Sequence, residues 1–175
     1  MELPANTLYD SDINDIAAQL HIPHFYGTFM SDEISTTHTP YGDCNGIVNL
    51  QPHTQRGSHW TAFARIDSDI YYFDSFGQHP PDTLIRFLKN KQEYEQKTLC
   101  IKCNSLVVQK SGSTECGSLC LYFLVQITRG IPFDTILRTL HRRINRIRPP
   151  PLRVDGGGGG GVPSMENRPC QRDGS

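Results

Sequence analysis

Four side chains of this 175-residue sequence are suited to share one hydrolysis: His59, Asp74, Gln109 and Cys116. A thiol attacks a carbonyl well only as the thiolate, so it needs an imidazole to take its proton and later protonate the leaving amine. The imidazole needs a carboxylate to hold its tautomer, and the tetrahedral oxyanion needs N–H donors. Cys116 supplies the thiol, His59 the base and Asp74 the carboxylate. The Gln109 side chain and the Cys116 backbone amide supply the donors.

The surrounding elements must bring these groups together. The stretch GSHWTAFARIDSDIYYFDSFG, Gly57 to Gly77, reads as two strands, His59–Arg65 and Ile70–Asp74, joined by a turn over Ile66–Asp69. Antiparallel pairing puts His59 and Asp74 at one rim of the sheet. Cys116 follows the turn-rich KSGSTE and opens CGSLCLYFLVQIT, in which positions 119–125 are all apolar. Such a run fits a buried strand as well as a helix, but its length to Thr128 and the stop at Gly130 and Pro132 favour a central helix. A thiol at a helix N-terminus faces unpaired amides and the positive end of the macrodipole, which favour the thiolate. Gln109, seven residues earlier, stands at the end of a strand expected over Leu99–Val108.

The other elements follow from spacing. Ile13, Ile16, Ala17 and Leu20 define a helix capped by Ser11 or Asp12 and stopped by Pro23. HFYGTFM is extended, 31–43 is loop and GIVNL is a strand. Asp82 opens a helix with Leu84, Ile85 and Leu88 inward, and a last helix runs from Phe133 to about Ile147. The order indicates an α+β domain over 1–148. Six consecutive glycines and a polar end make 149–175 a disordered tail.

No apolar run approaches the roughly 20 residues that cross a bilayer. The start MELPANTLYD lacks a basic region followed by an apolar block, so no signal peptide is expected. Six scattered cysteines fit a reducing, intracellular setting rather than a disulfide framework. Charge is uneven: residues 1–134 hold 9 Lys and Arg against 15 Asp and Glu, whereas 135–175 hold 8 against 3. Arg138, Arg142 and Arg146, each four apart, share a helical face, with Arg143 and Arg148 beside them. The bland reading of that face is a solvated surface.

Bland readings stand beside the other assignments. A lone helical cysteine is most often a small buried side chain, and Cys120 keeps that reading. Trp60 reads as a wall of the cleft or core. The rival chemistry is zinc: Cys100-x2-Cys103 followed by Cys116-x3-Cys120 has the count of a four-thiolate site, which would make the chain a structural or nucleic-acid-binding module. Against it, residues three apart on a strand point to opposite faces, and Cys120 lies in an apolar run.

SHWTAFA, YYFDSFG, the Gln109–Cys116 spacing and ECGSLCLYFL together resemble the adenovirus-type cysteine protease family, most strongly its versions in Polinton (Maverick) elements. IVNL, PPDTLIRFL and FDTIL resemble that branch too, and the likeness covers roughly residues 10–140. It implies a papain-like, adenain-like fold with a mixed sheet packed on a helix that starts at the nucleophile. It implies that His59 is the base, Asp74 its orienter, Gln109 an oxyanion donor and Cys116 the nucleophile. It further implies endoproteolysis of viral or element-encoded capsid and precursor proteins near glycine, by a monomer working in the host nucleus or the virion without a chemical cofactor. Basic surface around Arg138, Arg142, Arg143 and Arg146 would bind DNA as an activator, and an activating peptide would pair with Cys100 or Cys103. Removal of a ubiquitin-like modifier is the alternative within the same chemistry. DCNGIVNL departs from the family by one extra residue, and Cys100 lies nearer Gln109 than the peptide-binding cysteine of that family does.

Overall fold

The alternation Trp60, Ala62, Ala64 against Thr61, Phe63, Arg65 gives one strand two very different faces, and the architecture follows from it. The computed structural model describes residues 4, 6–34, 36–37, 42–55, 59–89 and 100–147. Its strands are β1 (Phe25–Phe29), β2 (Cys44–Asn49), β3 (Trp60–Ile66), β4 (Asp69–Phe73) and β5 (Cys100–Cys103). They form one sheet in the order β1-β2-β3-β4-β5. The outer pairs, β1–β2 and β4–β5, are parallel, and the inner pairs are antiparallel. The helices are α1 (Asp10–Gln19), α2 (Asp82–Leu88), α3 (Cys116–Thr128) and α4 (Phe133–Ile147). This is the expected α+β class. The boundary at 148 and the tail lie outside the described residues.

Both faces of the sheet are covered. The small side chains of Ala62 and Ala64 let α3 lie close against β3, and its Leu119, Cys120, Phe123 and Leu124 pack there in a core shared with Ile13, Phe73 and Phe133. Phe123 stacks on Phe73 with centroids 5.0 Å apart and meets Phe133 edge-on at 5.7 Å. Such aromatic pairs add about 0.5–1.5 kcal/mol beyond the area they bury. On the opposite face Phe63 and Tyr72 pack with Leu84, Phe87 and Leu88 of α2. A helix buried on most of its circumference fits the apolar run at 119–125, so α3 is the fixed axis of the molecule.

Most strand ends shift by a residue or two from the sequence expectation, and three differences matter to the site. The cap of α1 is Tyr9, whose backbone N–H donates to Asp12 Oδ2 at 2.9 Å, and the helix ends at Gln19, ahead of the left-handed His21. The β3–β4 link is only Asp67–Ser68, with Asp67 at φ 54°, a conformation aspartate tolerates. The largest difference is β5, which ends at Cys103 instead of Val108. There the Asn104 side chain replaces the ladder. Its Oδ1 accepts the Asp74 N–H at 2.9 Å and its Nδ2 donates to the Asp74 carbonyl at 2.6 Å. The chain then leaves the sheet and carries residues 105–109 across the rim.

Candidate active site

His59 lies one residue before β3 and Asp74 one residue after β4, so the hairpin register puts both at the same rim. Asp74 opens a tight turn in which its carbonyl accepts the Gly77 N–H at 2.9 Å. Within that turn Asp74 Oδ1 accepts the Phe76 N–H at 2.7 Å, the short-range bonding aspartate favours in turns. Gly77 is required here: its φ is 70°, and a Cβ would stand 2.6 Å from the Ser105 carbonyl oxygen. The turn thus aims a fully buried carboxylate at His59, whose Nε2 lies 3.0 Å from Asp74 Oδ1. Phe76 flanks the imidazole, with ring centroids 4.9 Å apart.

The other ring nitrogen, Nδ1, is left for Cys116, the first residue of α3. Burial by itself would lower the His59 pKa, but hydrogen bonds to Asp74 and then to Cys116 raise it from 6.5 to about 9. Burial likewise pushes the Cys116 thiol up, yet its hydrogen bond to His59 and the backbone N–H groups of Trp60 and Gly117 bring it below the ordinary thiol value. The two shifts favour a thiolate–imidazolium pair at neutral pH. Cys120, one turn along, is fully buried; desolvation drives its thiol far up, and Sγ donates to the Trp60 carbonyl at 3.3 Å.

Trp60 is 7 % exposed and its indole Nε1 donates to the Leu8 carbonyl at 2.9 Å, so it is both core and wall. Gly117 lies beneath it. A Cβ there would come within 3.3 Å of Trp60 Cδ1 and Leu8 Cβ, a tight contact that glycine avoids where the N-terminal segment closes over the start of α3. A cleft of about 620 Å³ opens at this point, lined by His59, Trp60, Phe76, Gln109 and Cys116. Tyr9, Phe29 and Met30 line it as well.

Gln109 reaches the cleft from the irregular segment after β5 rather than from a strand end. It is 4 % exposed; Oε1 accepts from Ser75 Oγ at 2.5 Å and Nε2 donates to the Ser113 carbonyl at 2.8 Å. Sequence reasoning did not single out Ser75, Asn104 or Phe76. Ser75 and Phe76 stand inside the YYFDSFG motif, directly after Asp74, which was a usable signal. Nothing in the spacing marks Asn104.

The cysteines of the zinc reading are not gathered. Cys100 is exposed on β5, Cys103 is buried against α2, Cys120 is in the core under β3 and Cys116 is engaged by His59. Among the described residues no group of three or more His, Cys, Asp or Glu is arranged to hold a metal. The basic residues lie elsewhere. Arg138 and Arg142 are exposed on α4, Arg143 pairs with Glu115 at 3.5 Å, and the Arg146 side chain lies outside the described residues. Among the described residues no helix is long and apolar enough to cross a membrane.

A mixed sheet wrapped on a buried helix that starts at a cysteine is an α+β fold shared with solved protease structures. Solved structures of the ASFV pS273R protease superpose with TM-scores of 0.54 and 0.53 at 17% and 18% identity. They cover 77% and 78% of this chain, and 62% and 63% of the ASFV chain. The SUMO protease Ulp1 superposes more loosely, with a TM-score of 0.47 at 15% identity over 79% of this chain and 75% of its own. In sequence, 97 residues are 37% identical to "Putative thiol protease R355" of Acanthamoeba polyphaga mimivirus, covering 52% of this chain and 32% of that protein. The chain thus spans about a third of the length of this relative. No family model matches.

Proposed function

We propose that this chain is a cysteine endopeptidase in which Cys116 is the nucleophile, His59 the base, Asp74 its orienter and Gln109 an oxyanion donor. The observation that carries this reading is one imidazole bonded to the buried Asp74 at 3.0 Å and near enough to Cys116 for each to shift the other's pKa, with His59 and Cys116 both lining an open cleft. The Cys116 thiolate attacks the scissile carbonyl carbon, forming the C–S bond while the carbonyl oxygen takes the negative charge. The Gln109 amide and the backbone N–H of Cys116 stabilise that oxygen. His59 gives its Nδ1 proton to the leaving amine as the C–N bond breaks, leaving a thioester. A water then loses a proton to His59 and attacks the thioester; the C–S bond breaks and the acid product leaves.

The adenovirus-type motifs extend the proposal to substrates and partners. The substrates are capsid or precursor proteins encoded by a virus or mobile element, cut beside glycine. Arg138 and Arg142, with Arg146 on sequence spacing, form a basic row for the phosphate backbone of DNA. Cys100, an exposed free thiol, is the site for an activating peptide.

The test is cleavage of a fluorogenic peptide ending in Gly-Gly, alongside a linear ubiquitin-like fusion, with and without iodoacetamide. Thiol-sensitive cleavage of the peptide is expected. Cleavage of the fusion alone would favour deconjugation. Cleavage of neither, with Cys116 alkylating no faster than a free cysteine, would end the protease reading.

A further inference from the structure

We propose that Ser75 is a positioning residue that holds Gln109 as an oxyanion donor, an inference that rests on the protease reading above. Ser75 follows Asp74 directly and is fully buried. Its hydroxyl bonds Gln109 Oε1 at 2.5 Å, while Gln109 Nε2 bonds the Ser113 carbonyl at 2.8 Å. A carbonyl can only accept, so the amide nitrogen must be the end facing Ser113. The oxygen must then face Ser75, and the serine hydroxyl must donate. The two bonds together exclude the flipped amide, in which Oε1 would face another carbonyl oxygen.

This orientation has a consequence at the cleft. Nε2 carries two hydrogens and Ser113 takes one, leaving the second for the cleft that Gln109 and Cys116 both line. The backbone reinforces the link, because the Ser75 carbonyl accepts the Val108 N–H at 2.8 Å. Two consecutive residues of one turn thus set two different groups, Asp74 the imidazole and Ser75 the oxyanion donor. Without the hydroxyl, Oε1 is buried with its donor gone and only the Ser113 bond is left to hold the amide.

The experiment is a double-mutant cycle on the full chain with Ser75→Ala, Gln109→Ala and the double variant. Three quantities are read: kcat and KM on the fluorogenic peptide, the Kd of a peptide aldehyde, and the rate of Cys116 alkylation by iodoacetamide. The aldehyde forms a C–S bond and an oxygen centre that needs the donor, whereas alkylation reads only the thiolate. Ser75→Ala should lower kcat and weaken the aldehyde about 10–100-fold with little change in KM, and Gln109→Ala should do so more strongly. The double variant should be no worse than Gln109→Ala, alkylation should stay at the wild-type rate throughout, and Ser75→Cys, a weak donor, should fall between. Multiplying losses in the double variant, a parallel fall in alkylation, or a wild-type-like Ser75→Ala would each overturn the proposal. If Ser75→Ala does not fold, the cycle is run with Ser75→Cys and the same outcomes decide. A wild type that neither alkylates rapidly nor binds the aldehyde removes the protease reading and Ser75 with it. A wild type that does both beside an additive cycle removes only Ser75.

Discussion

Replacing Asp74 with asparagine removes one charge while keeping the shape and an acceptor for the Phe76 N–H, so it isolates what the carboxylate does to His59. The raised value of about 9 against 6.5 favours the protonated ring by something on the order of 3 kcal/mol. The bond to Asp74 outranks that to Cys116 among the causes that raise it, so its loss should remove the larger share of the rise. Protonation alone would cost only about twofold at pH 7. Yet kcat should fall at least about tenfold because the imidazolium formed in the reaction loses its carboxylate, and the alkaline limb of the pH profile should move from near 9 toward neutrality. The stability effect has a definite sign. A pKa raised on folding stabilises fully below 6.5 and ceases to do so as pH rises through 9, so wild type and variant should differ most in Tm near pH 6 and converge near pH 10. The assay is peptide turnover from pH 5 to 10, with active sites counted by stoichiometric alkylation, beside thermal melts at the same values. An unchanged alkaline limb together with unchanged turnover would refute the claim that Asp74 charges the imidazole.

Other substitutions separate chemistry from packing. Cys116→Ser should abolish turnover and leave the unfolding free energy within about 1 kcal/mol of wild type, because an alcohol is not ionised by this environment. Cys120→Ser should reduce stability by about 1–2 kcal/mol, seen in urea melts, with turnover nearly intact, since it buries a more polar group under β3; a reversal of the two would unseat Cys116 as nucleophile. Gln109→Ala should cost on the order of 10²–10³ in kcat if its amide serves the oxyanion, and near-normal turnover would leave that role empty. Arg138→Glu with Arg142→Glu should weaken DNA binding in low-salt mobility shifts and flatten its salt dependence without altering peptide cleavage; absence of binding by the wild type would make α4 a solvated face only.

The hairpin and the central helix were legible in the sequence because their signals are local. Strand alternation and a short polar turn are enough to put residues 59 and 74 at one rim. A long apolar run between KSGSTE and Gly130 is enough to start a buried helix at residue 116. Those two features put the histidine beside the aspartate and the cysteine at a helix start; that the cysteine then meets the histidine depends on how α3 docks on β3. What only the tertiary structure decided are the bonds between segments far apart in the chain. Leu99–Val108 reads as a continuous strand, yet the Asn104 side chain takes both backbone groups of Asp74, 30 residues away, and ends the ladder at Cys103. Gln109 was placed near the site by its spacing from Cys116, an expected strand end and the family resemblance, but its orientation comes from Ser75, 34 residues earlier, and Ser113. Arg143 reads as part of a free basic row, yet it faces Glu115 across 28 residues. Periodicity reports which way a side chain points within its own element. A hydrogen bond between two elements depends on how they dock, and docking is decided by the packing of α3 against β3.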